Sequence, residues 1–300
     1  MIAGLLSYVE IKTKITSVFP FLMILAYLFY KGQPINLKLT SIFFCSMFLF
    51  DLTTTTINNY IDSRNNDQIL PFNRRKSLFI TYLLLTVSTA LGIWLVMLTD
   101  IVVLFLGGIC FAGGVLYTYG PVPISRQPWG ELFSGIFYGL MIPLLLMYIN
   151  MPAGYYISLN MSLETISLTL NLMPIITIFL LSVNPVCCTA NIMLANNICD
   201  LEKDIMVKRY TLPFYLGKKA LRLFELIYYV TYFSTFLMVL IGILHPICLV
   251  SILTVLPVRR NIKIFLSQQV KETTFLVSIM NYVLIMGAVT IAIFISGFIV

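Results

Sequence analysis

Charge is scarce in this 300-residue chain: 10% of the side chains are Asp, Glu, Lys or Arg, against 59% hydrophobic ones. Soluble domains run at about 25% charged and about 45–50% apolar. The shortage excludes a disordered chain and an ordinary water-soluble enzyme. Histidine is almost missing, with His245 alone, and the six cysteines form no C-x-x-C pair. That argues against a zinc centre and against a disulfide scaffold. Most of the cysteines lie in apolar runs, where cysteine behaves as a small hydrophobe. The opening MIAGLLSYVEIKTKITSVFP lacks the basic start, short apolar stretch and small-residue cleavage site of a signal peptide, so it is expected to be a mature N-terminus.

What is present is hydrophobic length. Apolar runs of about 20 residues recur from end to end, which predicts an all-α polytopic membrane protein embedded in the lipid bilayer. Hydropathy and helix breakers predict about nine transmembrane helices, over roughly 15–31, 38–59, 77–98, 101–118, 132–150, 172–197, 221–242, 244–257 and 274–299. They leave short loops and no room for a soluble domain, so residues 1–300 read as a single domain. The stretch from Met151 to Leu170, with Tyr155, Tyr156 and Glu164, is more polar and is expected to be a surface loop or a helix lying in the interface.

Basic residues set an orientation. With a cytoplasmic N-terminus, the inside segments hold Lys12, Lys14, Arg64, Arg74, Arg75, Lys76, Arg126, Lys203, Lys208, Arg209, Lys218, Lys219, Arg222, Arg259, Arg260, Lys263 and Lys271. Of the 19 Lys and Arg, that leaves only Lys31 and Lys38 outside, and the positive-inside rule favours this orientation in a cell membrane. The net charge of +7 thus reads as topology, with no nucleic-acid partner implied.

Topology does not explain the acids. The second predicted helix ends in Asn58-Asn59-Tyr60-Ile61-Asp62, followed by Ser63-Arg64-Asn65-Asn66-Asp67. The sixth ends in Asn196-Asn197-Ile198-Cys199-Asp200, followed by Leu201-Glu202-Lys203-Asp204. Both carry Asn-Asn-x-x-Asp at the end of an apolar helix, with a basic cluster beyond, which suggests an internal duplication of roughly 1–150 and 151–300. Asn58 and Asp62 stand four residues apart, as do Asn196, Asp200 and Asp204, so each set shares a helix face. Lys208 would extend the second stripe if the helix continued, and Asp51 lies on roughly the first, seven residues before Asn58. Such stripes offer carboxylate and amide oxygens without histidine or thiolate. Hard oxygen donors with open positions suit Mg²⁺ bridging to a substrate diphosphate, and nearby Lys and Arg would neutralise the remaining charge. Glu202 reads better as a solvated loop acid, and Asp51 fits either a supporting or a structural role.

These paired motifs resemble those of the UbiA superfamily of intramembrane prenyltransferases, written N-D-x-x-D-x-x-x-D and D-x-x-x-D. The second motif is intact as Asp200-x-x-x-Asp204 and runs on into Lys208-Arg209-Tyr210-Thr211-Leu212-Pro213 and Leu216-Gly217. The first departs from the pattern: Asn59 stands where the family has Asp, and Asn66 falls at the last position with Asp67 beside it. Within the superfamily, Leu116-Tyr117-Thr118-x-Gly120-Pro121-x-Pro123 and Gly130-Glu131-Leu132-Phe133 are most similar to the 1,4-dihydroxy-2-naphthoate polyprenyltransferase branch. The resemblance spans nearly the whole chain. It implies helices around a central cavity with a polar cap on the cytoplasmic side. It also implies Mg²⁺-dependent transfer of a polyprenyl group from polyprenyl diphosphate to an aromatic acceptor, dihydroxynaphthoate in this branch, giving a demethylmenaquinone precursor.

On this reading Asp62, Asp200 and Asp204 are the catalytic acids. Asn58, Asp62, Asn66 or Asp67, Asp200 and Asp204 hold metal, and Arg64, Arg126, Lys208 and Arg209 grip the diphosphate. A developing allyl cation needs a π face, for which Tyr60, Tyr117 and Tyr119 are candidates, with Asn197 beside them. Lys12 or Lys14 could meet the acceptor's carboxylate. No residue stands out as a general base. The alternatives are the same fold acting on 4-hydroxybenzoate, haem or a chlorophyll-type ring, a secondary transporter, or a purely structural membrane protein. A transporter would carry its acids near the midplane rather than at one face.

Overall fold

The computed structural model describes residues 2–65, 70–121, 123–162 and 164–299, with backbone alone for Ile2, Arg64 and Asn65. A short α1 (Ile2–Tyr8) and a 3₁₀ turn (Ile11–Lys14) lead into α2 (Ile15–Tyr30). Then follow α3 (Leu37–Asn65), α4 (Arg74–Leu98), α5 (Ile101–Thr118), α6 (Gly130–Ile136), a π turn (Phe137–Met141) and α7 (Ile142–Asn150). After a hairpin of β1 (Ile157–Met161) and β2 (Ile166–Leu170) come α8 (Leu172–Cys199), α9 (Leu201–Met206), α10 (Leu212–Leu216) and α11 (Lys219–Leu240). A 3₁₀ segment (Pro246–Thr254), α12 (Val255–Ser267) and α13 (Leu276–Ser296) complete the chain.

Among the described residues, eight helices are long and apolar enough to cross a membrane. The remaining expected span, the eighth in chain order, corresponds to the 3₁₀ segment running directly into α12. It starts later and ends about ten residues beyond the expected 244–257. Two constraints shape it. Pro246 opens the segment beside His245, whose ring nitrogen accepts from the Ile247 amide. Arg259, Arg260 and Lys263 lie exposed on α12, while Val258, Ile262 and Phe265 face inward. Such a helix has one dry face and one wet end, a pattern a hydropathy window reads as a shorter span.

The polar stretch after Met151 is neither a loop nor an interfacial helix. Ile157–Met161 pairs antiparallel with Ile166–Leu170, Leu159 opposite Leu168. Alternating Ile, Leu, Ser and Thr favour a strand pair over a helix. The hairpin sits at the end of the bundle opposite the two polar motifs. Close by, Asn150 accepts from the Asn36 amide at 2.7 Å, and the Asp100 side chain caps α5 by accepting from the Val102 and Val103 amides.

The core is largely apolar, with Ile24, Leu146, Leu194, Phe224, Phe265 and Met286 all fully buried, and Asn184, Asn191 and Asn281 buried among such side chains. The outer faces of α4 and α5 expose Phe79, Leu83, Ile93, Trp94, Met97, Leu104 and Phe105, as a lipid-facing wall does. α6 and the π turn pack closely on the backbone of α8 at Pro185, a proline inside that helix, and Val186. A β-carbon on Gly139 would lie 2.2 Å from the Val186 nitrogen and 2.6 Å from the Pro185 carbonyl carbon. Neither backbone atom can swing aside. Gly139→Leu should therefore destabilise the bundle at or beyond the upper end of the about 1–3 kcal/mol usual for overpacking. Loss of the monodisperse peak in detergent gel filtration would register this, and a wild-type profile and melting midpoint would refute the close-packing account.

Candidate active site

The two Asn-Asn-x-x-Asp ends lie at the same end of the bundle and face one another. Asp204 feels the charges of both Asp200, on its own segment, and Asp62 from α3. Arg126 and Arg209 are within electrostatic reach of Asp62. The starts of α2, α4, α6, α11 and α13 lie at this end, because each odd-numbered crossing begins where an even-numbered one finishes.

Two of the three acids in described ion pairs take their cation from another part of the chain, and the third, Asp204, pairs with Arg209 five residues on. Asp51, buried on α3, is held by Lys14 at 2.9 Å, by the Ser17 hydroxyl at 2.6 Å and by the Tyr138 hydroxyl at 2.8 Å. A charge pair this deep needs all of its hydrogen bonds made, or its desolvation cost goes unmet. Asp200 forms a close ion pair with Lys271, from the loop before α13, and the same ammonium donates to Asn196. Asp204 meets the Arg209 guanidinium at 3.6 Å, while Arg209 Nε donates to the Ser125 carbonyl at 2.8 Å. Asp204 is buried, and its Oδ2 has no partner.

The helix does not carry the second stripe as far as Lys208. α8 stops at Cys199, Asp200 sits at the break, α9 ends at Met206 and Lys208 has a left-handed φ of 56°. The turn leaves Lys208 exposed and swings Arg209 inward. Arg126 is exposed at the rim. Asn58 accepts from the Thr118 hydroxyl at 3.3 Å, joining the first motif to α5. Asn59, where the family pattern has Asp, does work that an aspartate could not. Its amide donates to the Tyr8 carbonyl at 3.0 Å and to Glu10 at 3.1 Å, which ties the N-terminal segment to α3. Asn66 and Asp67 lie outside the described residues, as does the Arg64 side chain.

The aromatic candidates separate. Tyr60 already carries the Arg74 guanidinium over its ring at 4.5 Å. Tyr119 is 65% exposed. Tyr117 points inward, its hydroxyl 3.6 Å from the Met193 sulfur and 3.4 Å from the Ser134 hydroxyl. Asn197 is buried and donates to Glu131 at 2.8 Å. Lys12 is exposed on the 3₁₀ turn, while Lys14 is committed to Asp51. Sequence reasoning passed over Lys271, counted only as a topology charge, and Glu131, noted only within a motif run. Their partners lie 71 and 66 residues away, and no local pattern joins them.

The donor set suits a hard cation shared with a substrate. Among the described residues, no three Asp, Glu, His or Cys side chains close into a complete metal cage. What is present is two half-sites of oxygen donors, one with the orphaned Asp204 oxygen. That fits Mg²⁺, which keeps open positions for water and phosphate oxygens.

With the geometry in view, the chain belongs to the UbiA prenyltransferase family, which it matches over residues 17–296. It is 29% identical over 170 residues to the 1,4-dihydroxy-2-naphthoate octaprenyltransferase of Bacillus subtilis (strain 168), covering 56% of this chain and 48% of that protein. The match thus spans about half the length of that curated relative. A UbiA homologue from Aeropyrum pernix K1 superposes with a TM-score of 0.67 at 17% identity, covering 93% of this chain and 98% of the other. A UbiA homologue from Archaeoglobus fulgidus, bound to GPP and Mg²⁺, gives 0.62 at 12% identity, covering 99% and 98%.

Burial is the main reason that the Asp204 carboxyl is pushed up to about 6, with Asp200 and Asp62 adding to it and Arg209 and Lys271 opposing. A carboxyl that is more basic folded than unfolded holds its proton more tightly in the folded state. Its contribution to stability is present at low pH and is lost as pH rises through about 4 to 6. Thermal melting without metal should show that decline, and Asp204→Asn should flatten it. A wild-type-like pH dependence in the variant would contradict the assignment.

Proposed function

We propose that this protein transfers a polyprenyl group from polyprenyl diphosphate to 1,4-dihydroxy-2-naphthoate in a Mg²⁺-dependent reaction that releases diphosphate and the ring carboxylate as CO₂, giving a demethylmenaquinone precursor. The observation that carries the reading is the convergence of two matching amide–carboxylate helix ends with Arg209 and Lys271 at one end of an apolar bundle. The similarity to the Bacillus subtilis octaprenyltransferase supports the acceptor. The GPP and Mg²⁺ held by the Archaeoglobus fulgidus homologue support the donor class and the metal.

Asp62, Asp200 and Asp204 are the residues to hold Mg²⁺, with Asn58 and whichever of Asn66 and Asp67 reaches it. The ion would supply positive charge for the departing diphosphate. The chain does the rest. Arg209, anchored on the Ser125 carbonyl, presents its guanidinium to the phosphate oxygens, and Lys208 and Arg126 at the rim attract the polyanion. Lys271 holds Asn196 and Asp200 in register without a ligand and is free to turn to phosphate once a metal balances Asp200. Fixed charges aimed at a leaving group act most strongly where water is excluded, and the bundle beneath is apolar. Tyr117 offers the inward-facing ring for the allyl cation, and the prenyl tail needs only apolar surface open to lipid. The distribution of basic residues supports an orientation with this end and the N-terminus on the cytoplasmic side of the cell membrane.

Purified protein given one polyprenyl diphosphate, Mg²⁺ and a mixture of dihydroxynaphthoate, 4-hydroxybenzoate and other aromatic acceptors should yield prenylated naphthoquinol by mass spectrometry. Chelation should stop the reaction, and Asp62→Ala or Asp200→Ala should lower turnover by about 100-fold or more while leaving folded protein. A product built only on another acceptor would overturn the naphthoate assignment. Full turnover in either variant would overturn the site.

A further inference from the structure

Glu131 is the acid that this mechanism leaves unused. It sits in the first turn of α6, 5% exposed, with one oxygen accepting from Asn197 and the other, Oε2, without a partner. Asn197 is 1% exposed, and its own Oδ1 is also unpartnered. A buried acceptor without a donor costs free energy and needs a reason. Two from one hydrogen-bonded pair, on two different helices, indicate a place kept for a ligand that brings donors.

The surroundings narrow the ligand. Arg209 and Asp204 act electrostatically on Glu131, so the pair borders the site already described. Tyr117 lies alongside: its hydroxyl is 3.3 Å from where a β-carbon on Gly130 would be and donates only to the Met193 sulfur, a weak acceptor. The wall thus holds an aromatic ring, a thioether and two orphan acceptor oxygens. A diphosphate has no protons to give them and is drawn instead to Arg209 and Lys271. A prenyl tail can satisfy neither. An electron-rich aromatic ring bearing hydroxyl groups fits all three features, since it stacks on apolar surface and donates O–H to carboxylate and amide oxygens.

We propose that Glu131 and Asn197 form the subsite that recognises a hydroxyl of the aromatic acceptor, with Tyr117 and Met193 flanking the ring. Glu131 Oε2 accepts the acceptor's O–H, and Asn197 keeps the carboxylate turned towards it. This inference rests on the proposed transfer to an aromatic acceptor and deepens it: a hydroxyl, not only a carboxylate, is read.

The test compares dihydroxynaphthoate with its two mono-O-methyl ethers, each lacking one donor, for binding to the wild-type protein without prenyl donor. One ether should bind about tenfold or more weaker than the parent. Glu131→Gln, which keeps shape but offers an amide, should raise the KM for the acceptor by a similar factor. It should also lose the discrimination between parent and ether, while the KM for prenyl diphosphate and the Mg²⁺ dependence stay at wild-type values. Equal binding of the parent and both ethers by the wild type overturns the subsite without needing any variant. So does a Glu131→Gln protein altered in donor KM or Mg²⁺ dependence but not in acceptor KM. If the wild type prenylates no aromatic acceptor at all, the proposed function itself fails. Wild-type turnover with an unaffected variant defeats only the subsite.

Discussion

A carboxylate at the end of a largely apolar bundle needs a cation within reach, and this chain provides two from a distance and one from the next turn. Lys14 reaches Asp51, Lys271 reaches Asp200 and Arg209 reaches Asp204. An uncompensated buried charge is far costlier than the small net gain of a surface pair. The ion pairs therefore act as registration marks. They bring the entry to α2 onto α3 and the loop before α13 onto the end of α8, while Arg209 folds back on Asp204 of α9 and reaches across to the Ser125 carbonyl. Once these are in place, the polar ends of α3 and α8 have little choice but to face one another.

The three pairs differ in what they leave free. Asp51 is saturated by lysine, serine and tyrosine, so it reads as a structural clamp beneath the site. Asp200 and Asp204 each have a single side-chain cation as partner, and Asp204 keeps a bare oxygen. That gradient, from fully satisfied below to partly satisfied above, is what a site needs if it is to exchange an internal cation for an incoming metal–diphosphate. Glu131 and Asn197 extend the incomplete layer sideways and give the acceptor somewhere to sit.

Much of this can be read from sequence because its signals are local. Eight crossings follow from apolar length, and the two motifs from a four-residue spacing on one helix face. Other features are hidden because they depend on partners far along the chain. Nothing near Lys271 says that it will meet Asn196 and Asp200, and nothing near Glu131 points to Asn197. The hairpin at 157–170 and the 3₁₀ start of the eighth span are obscured for another reason: short mixed polar–apolar segments carry no decisive period. The substitution of Asn59 for the family's aspartate reads as a defect in sequence and as a tether in structure, because only an amide can donate to both Tyr8 and Glu10.

The central claim is that the two helix ends make one site. Calorimetric titration of a non-cleavable prenyl thiodiphosphate in Mg²⁺ tests it most directly, with wild type, Asp62→Asn, Asp204→Asn and the double variant side by side. A single shared site predicts one equivalent bound by the wild type, a loss of about 100-fold or more in each single variant, and little further loss in the double. Wild-type affinity in either single variant, or two independent losses that add in the double, would contradict it.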